Sequence, residues 1–176
     1  MKYRIVILIL FFMFAFTQSV RADYVLPYPS YMPGNKIYKI SRIIDKVKFY
    51  WYFGNIAKEK YYMGLTDKYL VEAKTLFDYK QYLLAVDALT RSDNALIQVP
   101  QYIDGAQRDG VDTKILRATV SDAMTVHLSV LTDLKGRLPE NFVWRPEKAK
   151  ASDLQIAALM DSSIALRKQI QASLTK

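Results

Sequence analysis

A single histidine, His127, and no cysteine are all that this 176-residue chain offers in imidazole or thiol chemistry. Thiolate and multi-histidine metal sites are therefore excluded. Carboxylate-only calcium or magnesium sites survive that test, but no Asp-x-Asx-x-Asx-Gly loop is present to support one. His127 is the one obvious candidate base. A nucleophilic triad would need a serine and an acid brought to it, and no Gly-x-Ser-x-Gly elbow marks such a serine. No glycine-rich phosphate loop occurs either. Asp and Glu fall mostly where a solvated helix face would place them. The expectation is a non-enzymatic protein with no cofactor and no metal, in which His127 is a packed residue donating to a carbonyl.

The sharper object is aromatic. "KFYWYFG", residues 48–54, strings five rings together. Successive helical residues turn by about 100°, so the five cannot all face one core. With Tyr50 and Trp51 inward, Phe49 and Phe53 need another cover. The nearest is the strap "YVLPYPSYMPG", where three prolines stiffen a tyrosine-rich segment and lower the entropy lost on docking. Read structurally, the strap ties the first helix to the fold. Read functionally, Tyr28 (after Pro27) and Tyr31 of the strap join Tyr38, Phe49, Tyr52 and Phe53 in an aromatic patch. Rings beside lysines suit stacking on a glycan or lying at a lipid interface.

Helices must position these groups. Asn35 is a plausible cap for a first helix of about eighteen residues, along which Ile37, Ile40, Ile44, Val47 and Trp51 draw an apolar seam. Lys39, Arg42 and Lys46 repeat on the other side, so this helix reads as aliphatic inside and basic outside. Gly54-Asn55 breaks it, and a second helix runs from near Ile56 to near Phe77 through Tyr62, Leu65, Tyr69, Ala73 and Leu76. Gly64 within it marks either a weak point or a close helix crossing. A tight turn at residues 78–80 leads to a third helix through Tyr82, Val86, Leu89 and Leu96. Residues 99–112, with a proline, two glycines and three aspartates, read as a loop or frayed helix end. A fourth helix carries Leu116, Val120, Ala123, His127, Val130 and Leu134 on one face until Gly136. A proline and aromatic linker near 138–149 follows, with Phe142 and Trp144 as inward anchors. Ser152 and Gln155 form a capping box for the last helix, through Ile156, Leu159, Ile164 and Ile170. No stretch alternates with period two for long. The expected fold is an all-α, up-and-down bundle of four or five helices over residues 36–176, preceded by a strap at 23–35.

Residues 1–22 have the order of a secretory signal: Lys2 and Arg4, twelve apolar residues from Ile5 to Phe16, then a polar stretch ending at Ala22. Twelve helical residues span about 18 Å against roughly 30 Å of hydrocarbon, so cleavage after Ala22 is favoured over an uncleaved anchor. The remaining 154 residues carry 22 basic and 17 acidic side chains, a net +5. That mild excess suits an anionic envelope surface or polymer and is too diffuse for nucleic acid. Without disulfides, an exported chain must rely on packing alone.

"LPYPSYMPGNKIYKI" and the helical hairpin after it resemble a family of exported bacterial and archaeal domains of unknown function. Met32, Pro33, Gly34, Asn35, Ile37 and Tyr38 carry that family's entry motif, and the similarity covers roughly residues 24–96. The resemblance implies an exported helical domain and no catalytic residue. The function expected is binding or scaffolding of an unknown protein or polymer at the cell envelope or surface. The alternatives are a peripheral protein whose basic aromatic first helix lies on anionic membrane, and a periplasmic chaperone-like bundle.

Overall fold

The computed structural model describes residues 23–29, 32–33, 36–148 and 150–174. Helix α1 (Lys36–Lys48) tightens into a single 3-10 turn, Phe49–Trp51. Then come α2 (Asn55–Asp78), α3 (Tyr82–Leu96), the shorter α4 (Val99–Arg108), α5 (Lys114–Arg137), a hairpin of β1 (Phe142–Trp144) and β2 (Ser152–Leu154), and α6 (Ile156–Leu174). The all-α expectation holds, with α4 and the hairpin as additions. The signal segment, Asn35 and Tyr31 lie outside the described residues.

Helices α2, α3, α5 and α6 enclose the core. Near the α2–α3 turn it is built from Leu70, Ala73, Leu76, Phe77, Ala85, Ala88, Leu89, Leu131, Leu134, Ile156 and Met160. Alanines on α2 and α3 bring those two helices close, and large aliphatic chains fill between them. A second apolar cluster at the other end joins Met63, Leu96, Val99, Ile103, Val120, Ala123, Met124, Ile170 and Leu174. The α2–α3 turn closes with Lys80 in the left-handed region (φ 59°).

Several sequence expectations need correction. Residues 99–112 are mainly helix: Pro100 sits in the first turn of α4, where no intrahelical N–H is required. Of the two glycines, only Gly110 (φ 81°) ends it. Gly105 is internal because a Cβ there would lie 2.7 Å from the Asn55 side chain. The Asn55 side chain donates from Nδ2 to Asp109 (2.6 Å). Gly64 is neither strained nor at a crossing, since open space surrounds its missing Cβ. Gly64→Ala is expected to stabilise by up to about 1 kcal/mol in a urea melt, whereas Gly105→Ala loses that helix gain to the Asn55 clash.

The Ser152–Gln155 capping box does not form. Ser152 pairs with Trp144 in the antiparallel hairpin, and the Ala157 N–H at the start of α6 donates to the Glu140 carbonyl (3.0 Å) instead. Phe142 is an inward anchor against Tyr82, their rings 4.6 Å apart, but Trp144 is exposed.

The largest reversal concerns α1. Ile37, Ile40, Ile44, Val47 and Trp51, the expected inward seam, are all exposed, Trp51 by 71%. Tyr50 is exposed as well, because the helix ends at Lys48 and the 3-10 turn rotates the rings away from the extrapolated face. The side turned inward is the polar stripe Tyr38, Ser41 and Asp45. It meets charges on α2 and α3 that cannot be buried without partners. Lys68 pairs with Asp45 and donates to Ser41 (3.1 Å). Tyr38 donates to Glu72 (2.6 Å) and accepts from Arg91 (2.6 Å), while Tyr61 donates to the Asp45 carbonyl (2.9 Å). Charge-assisted bonds of this kind are the stronger class, and here they set the rotation of the helix.

Candidate functional site

The aromatic residues singled out in the sequence do not gather into one patch. Tyr28 is solvent-exposed and Tyr31 lies outside the described residues. Tyr38 belongs to the charged cluster with Glu72 and Arg91, where burial and then the Glu72 hydrogen bond push its hydroxyl up to about 12. Phe49 is eleven residues further on, about 16 Å along a helix. It stands edge-on to Tyr61 (5.8 Å) and Tyr62 (6.2 Å), with the Lys58 ammonium 5.1 Å from its centroid. Tyr52 leans on Tyr61 (5.3 Å), and Tyr62 stacks on Tyr102 of α4 (5.3 Å). Rings of α2 and α4 thus supply the cover that the strap was expected to give. The strap goes elsewhere: Leu26 and Met32 pack against the lower core cluster and Tyr24 against the upper one. Phe53 is left 80% exposed.

What remains on the surface of α1 is an amphipathic face. Ile40, Ile43, Ile44 and Val47 recur at steps of three and four and fall within about 100° of the helix circumference. Ile40 is 54% and Ile43 61% exposed. Exposed Lys39, Lys46 and Lys48 flank this stripe, with exposed Arg42 further round the helix, and exposed Trp51 and Phe53 continue it past the helix end. The only acid of the helix, Asp45, is buried against Lys68, so the outer surface of α1 carries cations alone. Among the described residues no helix is long and apolar enough to cross a membrane.

The second site lies inside the bundle. Between the two apolar clusters, each of the four core helices contributes polar residues at one level: Thr66 and Asp67 on α2, Ser92 and Asp93 on α3, His127 on α5, Ser163 and Arg167 on α6. His127 is fully buried and its Nε2 donates to Asp67 Oδ1 (2.8 Å), not to the carbonyl the sequence suggested. The other Asp67 oxygen accepts from the Tyr24 hydroxyl. Burial lowers the His127 pKa and favours the neutral ring, and Nε2, facing the Asp67 carboxylate, is the nitrogen placed to carry its proton. Burial, then the charge of Asp67, raises the Tyr24 pKa, keeping the phenol protonated as donor.

Beside this group, Arg167 donates to Asp93 (2.6 Å), to the Ser163 carbonyl (3.0 Å) and to Ser92 Oγ (3.0 Å). Ser92 donates onward to the Thr66 carbonyl (2.8 Å), and Ser163 to Asp93. Burial lowers the Arg167 pKa, but Asp93 favours its charged form. The layer is thus a charge pair and a histidine–carboxylate–phenol chain, with Arg167 Nε and His127 Nδ1 left without a partner among the described residues. Its hydroxyls are engaged and its imidazole is enclosed, so it holds protons and charges in place without presenting a nucleophile.

Tyr24 and Asp67 also face outward, into a cleft of about 530 Å³ between α2 and the start of α5. Ile56, Met63, Ile115, Leu116 and Val120 give it apolar walls, and Glu59 stands within it. Glu59 is 2% exposed, and its Oε2 has no hydrogen-bond partner among the described residues. Burial pushes its carboxyl up to about 7. The expectation that carboxylates occupy solvated faces therefore fails at Asp45, Glu59, Asp67 and Glu72, all buried. Among the described residues no cluster of histidine and carboxylate side chains is arranged to hold a metal ion.

No family model matches the chain, and no curated protein and no solved structure matches it.

Proposed function

We propose that this protein is an exported, non-enzymatic helical domain that sits on an anionic membrane surface through α1. The observation that carries the reading is the rotation of α1: polar stripe against the bundle, isoleucines outward, cations along the border. A helix that hides its hydrogen-bonding side and shows its aliphatic side presents the geometry of an interfacial helix, with aromatic rings suited to the headgroup level. Each basic residue near an anionic leaflet contributes about 1 kcal/mol, so the three flanking lysines supply roughly 3 kcal/mol before any side chain is buried in lipid. The signal-like segment Ile5–Phe16 supports the export part of the reading.

The domain from Asp23 onward is expected to float with vesicles of mixed phosphatidylglycerol and phosphatidylcholine at low salt, and much less with phosphatidylcholine alone. Raising the salt to 0.5 M should release most of it, because the electrostatic part is screened. Replacing Ile40, Ile43, Ile44 and Val47 together by serine should reduce binding at least tenfold with the helical circular dichroism unchanged. Absence of salt-sensitive flotation would refute the membrane reading. The α1 face would then belong to a protein partner, an envelope polymer or an unfolded client.

A further inference from the structure

We infer that the cleft between α2 and α5 is a binding site for an aliphatic cation, whose ammonium group pairs with Glu59 while its chain lies on the apolar walls. The argument starts from the other buried acids. Asp45 is paired with Lys68, Asp67 with Tyr24 and His127, and Glu72 with Tyr38 and Arg91. Glu59 is as deeply buried as any of them and its Oε2 lacks a donor. Glu72 Oε2 lacks one too, but Glu72 is anchored through Oε1 by Tyr38 and Arg91, whereas no hydrogen bond or ion pair ties Glu59 to another described residue. A buried carboxylate oxygen left in this state is costly, and a ligand donor is what it lacks.

Charge selects the ligand. Three carboxylates, Glu59, Asp67 and Asp112, line the cleft against a single cation, Lys60, in a chain whose net charge is +8. Lys60 is exposed at the rim, and Tyr24 already gives its proton to Asp67. The α5 wall facing Glu59, formed by Ile115, Leu116, Thr119 and Val120, is uncharged. The cleft volume lies in the range of small-ligand sites, and Met63 and Val120 deep in the wall match an alkyl chain better than a sugar. Gly64 widens the opening, since nothing lies within 4 Å of the place its Cβ would occupy.

The test uses hexylammonium chloride as probe, with hexanoate and 1-hexanol as controls, followed by chemical shifts of the full domain at pH 8. Hexylammonium should bind at least tenfold more tightly than either control and perturb residues 56–67 and 111–120. Binding should weaken more than tenfold by pH 5.5, where the Glu59 carboxylate, with a pKa of about 7, is protonated and the amine is still charged. Glu59→Gln should lose the same factor while keeping the fold. Gly64→Leu, which leaves the carboxylate in place and fills the mouth, should block the probe. Equal binding of alcohol and amine, full affinity in Glu59→Gln, or no binding of the amine would each overturn the assignment. None of these outcomes depends on α1 or on vesicles.

Discussion

Arg167→Met is expected to destabilise the domain by about 3–5 kcal/mol, the range for breaking a buried ion pair by removing one partner. Methionine occupies much of the arginine's volume, so the cost would not come from a cavity. It would come from Asp93, left with only the Ser163 hydroxyl, and from Ser92 Oγ, which loses its donor. Replacing both charges, as Asp93→Ala with Arg167→Met, should recover a large part of the loss, because no lone charge remains buried. Guanidinium melts of Arg167→Met, Asp93→Ala and the double variant decide the matter. If the double variant is as unstable as the sum of the singles, the two side chains are not coupled, and the layer is incidental to stability. If it recovers, the pair's role is to align the helices, since an apolar layer would permit α6 to slide by a turn against α3.

The layer was partly visible in the sequence, though not as a site. On α6 the positions 160, 163, 167, 170 and 174 advance by three and four, and Ser163 and Arg167 occupy steps where methionine, isoleucine and leucine stand on either side. On α2, Thr66 and Asp67 likewise fall between Met63 and Leu70. A polar residue due inward on one helix is uninformative alone. Four helices each with such a residue at mid-length is a pattern, because antiparallel neighbours place mid-lengths at the same level. His127 was found on its own, as an apolar-face histidine. Its partner was not legible, since Asp67 is sixty residues away and only the fold brings the two together.

The helices themselves were legible wherever an apolar face met an apolar neighbour: α2, α3 and α5 match the seams drawn from Tyr62, Leu89 and Val120. The inversion of α1 shows why a seam is not a direction. Periodicity reports that isoleucines share a face but not what that face meets, and here the competing stripe Tyr38, Ser41 and Asp45 finds Glu72, Arg91 and Lys68. Those partners are polar residues of α2 and α3 that look like a solvated face until a third helix covers them. The short α4 was hidden because proline and glycine were read as breakers. One of them starts the helix and the other is there for contact with Asn55.

Glu59→Gln is expected to make the unliganded domain more stable at pH 8 and to leave it unchanged at pH 4. Burial raises the Glu59 pKa in the folded chain from 4.5 to about 7. Below pH 4.5 the carboxyl is protonated both folded and unfolded, and its contribution does not vary. Between about 4.5 and 7 the unfolded chain loses the proton while the folded chain keeps it, so the folded state binds more protons and stability falls as pH rises. Above about 7 the loss levels off, at up to about 3 kcal/mol. Glutamine resembles the protonated acid and cannot ionise, so it should abolish the slope and raise the melting temperature at pH 8 by about 6–10 °C. A thermal melt series from pH 4 to 8 on both proteins reads this directly. A wild-type profile flat across that window would mean that Glu59 is already compensated and would remove the reason to seek a ligand for it. A falling profile, restored to flatness by hexylammonium, would tie the stability cost of the carboxylate to its use, as functional groups held at the expense of stability commonly are. A ligand that binds only the ionised folded state stabilises it by an amount that rises with the logarithm of its concentration once that exceeds Kd. The same titration therefore measures both the cost of the empty cleft and the affinity that offsets it.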